Sequence, residues 1–388
     1  MTIPVAMPPP QDADPTLQQD LGMPSELDHE TKAGLQAMYG SEFPLLQAQP
    51  DDDDWVKWAE SLWDRHTASV QSRLHLIERN RLFRKGVQWI SAVGFGPWRE
   101  PERPRDAARI VENVIAPALD QRIQLISEQR PGFRMRPESH APQALKRAEA
   151  QQVAVEYQYD QQQMERVTRE LAYWAGTDGA AFLELYWDNN AGIWYEPLAA
   201  PLGDVRGRVR RIEQIRVSAD ARASKKPWYM VIRESIPLAA AAKEYGTAAA
   251  GRMATSKPEN IIRMGAIPSQ RLGYLLPEEE ELFREQDIVD RITVYCEKSE
   301  YLPQGLTLVT VGKEIQFVGP LVVGEVPVVR MTDGSTDPSY FPAPIMEGWI
   351  DSQMRINAVK SKWVENVRLN SGARLLAKEN AISQETLM

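Results

Sequence analysis

Apolar residues recur along this chain with two periods, one helical and one alternating, and the changes between them mark its elements. From Pro344 to Leu369, PIMEGWIDSQMRINAVKSKWVENVRL has proline just inside its start and neither glycine nor proline after Gly348. Ile345, Trp349, Ile356, Trp363 and Val367 fall at spacings of four, seven, seven and four, which predicts one apolar stripe on a helix about 37 Å long. A stripe so narrow and so aromatic predicts a partner helix, in the same chain or in a second copy. The opposite face is expected to carry Glu347, Asp351, Ser361, Lys362 and Glu365, open to water or to a passing polyanion.

The same period appears upstream. Asp51–Asp54 precede WVKWAESLWDRHTASVQSRLHLIERNRLFRKG, with Trp55, Trp58 and Leu62 opening an apolar face. The four aspartates read as a helix cap in preference to a metal site. Arg79, Arg81, Arg84 and Lys85 suit the far end of that helix, and Gly86 ends it. A second helix is predicted over Asn113–Arg130, with Leu119, Ile123 and Ile126 on one face and Pro131-Gly132 as its stop. Phe133 and Met135 alternate with Arg134 and Arg136, which predicts a short strand. A long helical region follows from about Pro142 to Ala175.

Period two then takes over. AAFLELYWD (residues 180–188) alternates and is expected to form a hairpin with IWYEPL across Asn189–Gly192. VRGRVRRIEQIRV is basic and reads as a solvated strand pair in preference to a DNA-binding hairpin. KPWYMVIRES predicts a strand, IPLAAAAKEYG a short helix ending at Gly246, and residues 247–275 show little periodicity. PEEEELFREQDIVD opens as an acidic helix. Four alternating segments lie between Arg291 and Met331, which predicts a compact β-rich unit between two helices. No internal repeat is present.

Composition narrows the class. With 388 residues, 43% of them hydrophobic, the chain is long enough for two or three domains. No apolar run approaches a membrane span, and MTIPVAMPPP lacks the regions of a signal peptide. The single cysteine, Cys296, excludes an internal disulfide framework and points to a reducing cytoplasm. The net charge of -9 is uneven: residues 1–54 hold eleven acids and one base, leaving 43 acids and 44 bases in the rest. The body is therefore near neutral, unlike a protein that grips phosphates with clustered lysine and arginine. Residues 1–52 read as an acidic, mostly disordered arm with a short helix around Glu30–Met38. No phosphate loop, nucleophile elbow or paired His/Cys spacing occurs, so no catalytic residue, cofactor or metal ion is expected and nothing supports an enzyme.

Four patches, in this order, resemble the portal proteins of tailed bacteriophages: RLFRKGVQW (81–89), NVIAPALDQRIQLISEQRPGFRMRP (113–137), YWAGTDGAAFLELYWDNNAG (173–192) and DSQMRINAVKS (351–361), the last with Gln353 and Asn357 four residues apart. The likeness spans about residues 60–370. It implies an α+β, mainly helical portal fold: a wing over 53–275, a first stem helix over 276–290, a β-rich clip over 291–339, a second stem helix over 340–370, and residues 371–388 starting a return into the wing. Further elements beyond that return belong to the family pattern. The Asp-Pro that often follows the wing hairpin is here Ser218-Ala219-Asp220-Ala221.

The resemblance further implies a homo-oligomeric ring, usually a dodecamer, at one capsid vertex of the virion, assembled in the host cytoplasm. Its clip would dock the terminase motor and head-tail adaptors. The ring would also meet capsid and scaffolding proteins, and double-stranded DNA would pass through it without sequence-specific binding. On this reading Ile345, Trp349, Ile356, Trp363 and Val367 pack between subunits. Glu347, Asp351, Lys362 and Glu365 face the channel, where acids would keep DNA contacts weak. The alternative from the residues alone is a soluble helical adaptor or scaffold that binds a partner helix without forming a ring. A metal-dependent enzyme acting on nucleic acid ranks third.

Overall fold

The computed structural model describes residues 17–23, 27–47, 50–102, 107–128, 132–188, 190–196, 200–255, 287–321, 323–334 and 337–371. It is a mixed α+β structure. Helices α1 (Leu17–Asp20) and α2 (His29–Tyr39) lead into α3 (Asp52–Arg84), followed by α4 (Ile115–Glu128), α5 (Pro142–Gln161) and α6 (Met164–Asp178). Strands β1 (Ala180–Asp188), β2 (Trp194–Tyr195), β3 (Ala200–Pro201), β4 (Asp204–Arg210), β5 (Ile215–Val217) and β6 (Tyr229–Pro237) come next. Short helices α7 (Leu238–Tyr245) and α8 (Thr247–Ala250) precede β7 (Ile288–Cys296), β8 (Leu306–Val311), β9 (Glu314–Gly319) and β10 (Val328–Thr332). The last described helix is α9 (Glu347–Asn370).

The 33-residue α3 is the spine. Asp51 accepts from the Asp54 N–H and Asp54 from the Asp51 N–H, a reciprocal cap at the positive end of the helix. Its first turns bury Trp55, Trp58 and Leu62 against the five-stranded antiparallel sheet β5-β6-β7-β8-β9, where Val231, Val294 and Leu308 face them. Leu21, Leu35, Tyr39, Phe43 and Leu45 close the same core. The described part of the N-terminal arm is thus folded, in contrast to the sequence expectation, because its scattered apolar residues find a ready-made surface. Farther along, Val70 and Ile77 pack on Phe182 and Ile232, and Phe83 reaches Ile115, Leu119 and Ile350.

A second sheet, ordered β10-β1-β4, is antiparallel throughout. Among the described residues the predicted hairpin of residues 180–188 with IWYEPL is not formed. Instead β1 pairs over its length with β4 and with the distant β10, while Trp194 and Tyr195 pair with Pro201 and Ala200. Charge explains the choice. Arg210 on β4 donates to Glu184 on β1 at 2.6 Å and to Glu234 on β6, and Glu234 also accepts from Arg208 and Arg291. The basic segment therefore supplies counterions for buried carboxylates rather than forming a strand pair of its own, while Arg206, Arg208 and Arg211 keep part of their surface exposed.

Three further expectations change. The helical region from Pro142 is broken at Gln163, which is left-handed with φ of 50°. Phe133 and Met135 join no sheet among the described residues. The β-rich unit expected over 291–339 is not separate: β7, β8 and β9 continue the sheet begun by β5 and β6, and β10 joins β1. Of the first stem helix, 276–286 lies outside the described residues and Ile288–Asp290 begin β7. Residues 372–388 lie outside as well.

Candidate functional site

The helix singled out by its apolar stripe is attached to the body by a different face. Ile350, Gln353, Asn357 and Ser361 are its buried residues. Three of the four are polar, and each has a backbone partner on one connection, residues 107–114, which belongs to no helix or sheet. The Val114 N–H donates to Gln353 Oε1 at 3.0 Å, Glu112 N–H to Asn357 Oδ1 at 3.1 Å, and Ile110 N–H to Ser361 Oγ at 2.9 Å. Ala108 N–H completes the series at Glu365 Oε1, 3.1 Å away. Every second residue of the connection thus meets every fourth residue of the helix, in antiparallel order. The match is geometric: two extended residues advance about 6.6 Å and four helical residues about 6.0 Å.

Cross-links lock this seam. Asn357 Nδ2 donates to Gln88 Oε1 at 2.6 Å, Gln353 Nε2 donates to Asn357 Oδ1, and Gln88 Nε2 donates to Asn113 Oδ1. Asn113 in turn donates to the carbonyl of Arg84 at the end of α3. One layer deeper, Arg84 donates to Thr177 Oγ1 and Asp120 Oδ1 and lies 3.7 Å from the centroid of the Tyr173 ring. Arg81 holds Asp178 and Glu213 together, with contacts of 2.5 and 2.6 Å. Burial pushes Asp178 upward in pKa. For Glu213 burial is outweighed by Arg211 and Arg81, which hold its carboxyl well below the usual range. Gly179 ends α6 here with φ of 105°, and a Cβ at that position would collide with the Pro342 carbonyl.

Glu347, expected on an open face, is instead an anchor. Its Oε1 accepts from Arg73 at 2.7 Å and from Asn80 at 2.8 Å. Glu365 is half-buried and accepts from Lys362 as well as from Ala108, which lowers its pKa. Ser361 is buried rather than solvated. Asp351 and Lys362 are exposed, but so are Arg355, Lys360 and Arg368. The helix therefore lacks the acidic face that a repulsive DNA lining would need.

The predicted stripe lies roughly 120° round the helix from the seam, at 100° per residue. Met346 and Ile350 fill the contact with Phe83 and Leu119, and Trp349 packs at its edge. Beyond that first turn the stripe faces outward: Trp363 is 67% exposed and Val367 46%, and Val359 beside them is 68% exposed. Ile345 is exposed and Ile356 half-buried. The helix is inside-out, with polar residues buried and large apolar ones exposed. Gln353, Asn357, Ser361 and Glu365 at strict intervals of four were the sequence signal for its buried face.

Among the described residues no group of three or more His, Cys, Asp or Glu is placed to hold a metal ion, and no helix is long and apolar enough to cross a membrane. No protein-family model matches the chain, and no curated protein matches it significantly.

Proposed function

We propose that the chain is a structural subunit of a homo-oligomeric assembly, and specifically of a portal-type ring at a capsid vertex, through which DNA is packaged and ejected and to which a terminase motor and tail adaptors dock. The observation that carries the self-assembling part is the inside-out α9. Its polar seam attaches it to the body and presents Val359, Trp363 and Val367 to solvent. Exposed apolar rows of this kind are stable in water when another surface covers them.

The portal part is supported by where the four resembling patches lie. Arg81, Arg84 and Gln88 come from the first, Asn113 and Asp120 from the second, Tyr173, Thr177 and Asp178 from the third, and Gln353, Asn357 and Ser361 from the last. These residues form the seam and the layer beneath it. Patches of low individual specificity thus acquire one shared physical role, presenting the last helix. A role in lining the channel rests on the resemblance, since the exposed charges of α9 are mainly basic.

Negative-stain imaging and analytical ultracentrifugation of the purified chain test the reading. Rings with a central hole are expected. A monodisperse monomer at all concentrations that captures a foreign helix would establish the adaptor reading in its place.

A further inference from the structure

A second helix carries an unpartnered apolar row. Of the 20 residues of α5, Ala148 and Tyr159 are the buried ones. Ala150, Val153, Ala154 and Tyr157 follow the i, i+3, i+4, i+7 rule, and all four are exposed, Val153 by 66% and Tyr157 by 52%.

This row and that of α9 are complementary in length, shape and charge. Ala150–Tyr157 and Val359–Val367 span about 11 and 12 Å respectively. The two alanines of α5 leave shallow holes between Val153 and Tyr157, the form that receives a large knob such as Trp363. Glu149 and Glu156, with Asp160, flank the α5 row on one side, and Arg355 and Lys362 flank the α9 row. On each helix the charged flank is reached by turning the same way from the apolar row. Two helices packed face to face bring those flanks together when they run antiparallel.

We propose that α9 of one copy packs antiparallel on α5 of the next, Trp363 and Val359 seating among Ala150, Val153, Ala154 and Tyr157. The inference rests on the self-assembly reading and names the surfaces it uses. Because α5 and α9 are different patches, the contact is heterologous, the kind that forms a ring when its rotation closes and a filament when it does not.

Cysteine cross-linking tests it, and the native Cys296 is fully buried and stays silent. Full chains carrying Val359→Cys are co-expressed with chains carrying Ala150→Cys, Val153→Cys or Tyr157→Cys, then treated with a short bismaleimide. Cross-linked peptides joining the two variants, absent from either variant alone, are the expected result. Arg355→Glu is expected to weaken self-association about tenfold, and Glu156→Lys with Asp160→Lys to restore it. Oligomers that cross-link Val359→Cys only to itself, or to none of the three α5 positions, would overturn this contact and leave self-assembly standing. A chain that sediments as a monomer throughout would overturn both.

Discussion

Replacing Asn357 by alanine tests the polar seam where it is most connected. The side chain is 2% exposed and makes three hydrogen bonds: it donates to Gln88 Oε1 at 2.6 Å and accepts from Gln353 Nε2 at 3.0 Å and Glu112 N–H at 3.1 Å. Truncation removes all three. Gln353 Nε2 keeps its bond to the Glu112 carbonyl, whereas Gln88 Oε1 and the Glu112 N–H lose the partners seen here. Each stranded group costs about 1–3 kcal/mol, so the two together cost roughly 2–6 kcal/mol. Against a typical stability of about 5–15 kcal/mol, that is a large fraction. Urea unfolding of the whole chain measures the loss, and hydrogen exchange of peptides covering 107–114 locates it. Ser361→Ala, which strands the Ile110 N–H alone, should cost about 1–2 kcal/mol by the same reasoning. An Asn357→Ala loss below about 1 kcal/mol, with exchange of 107–114 unchanged, would refute the argument that this seam holds the helix.

Trp363→Ser should leave the stability of the isolated subunit within about 0.5 kcal/mol, as for other exposed positions, while abolishing assembly seen by sedimentation. Loss of fold instead would mean the stripe packs within its own chain. His66, 2.6 Å from the Tyr229 hydroxyl, has its pKa pushed below 6.5, first by burial and then by Arg65 and Arg216. The unfolded chain therefore takes up a proton near pH 6.5 that the folded chain refuses, and stability should fall as pH drops from there through the folded value. His66→Gln should flatten that slope in urea titrations at pH 5–7; a rise in wild-type stability on acidification would contradict it. Glu234→Ala removes the carboxylate shared by Arg208, Arg210 and Arg291, and should destabilise by about 3–5 kcal/mol in urea. Burial pushes the Cys296 thiol far above its ordinary pKa, so a thiol reagent should label it only on unfolding, and fast native labelling would show that the sheet core opens.

Local signals were sufficient for the elements that local chemistry specifies. The Asp51–Asp54 cap, the arginine-rich end and Gly86 fix α3; Gly246 ends α7; and an uninterrupted run of 24 residues makes α9 a helix. Alternation identified β1, β6, β7 and β8 as strands, because period two follows from the pleat alone. It did not identify partners. β1 pairs with β4 and with β10 some 140 residues away, since Glu184 needs Arg210 and only the folded chain brings them together. The described part of the arm is ordered for a similar reason: Tyr39 and Phe43 gain nothing until α3 and the sheet provide a surface. On α9 the spacing of Ile345, Trp349, Ile356, Trp363 and Val367 alone puts them on one side. Which side meets the body was decided by tertiary structure, because hydrogen bonds from the 108–114 backbone to Gln353, Asn357, Ser361 and Glu365 oriented the helix, and apolar periodicity carries no information about where those donors lie.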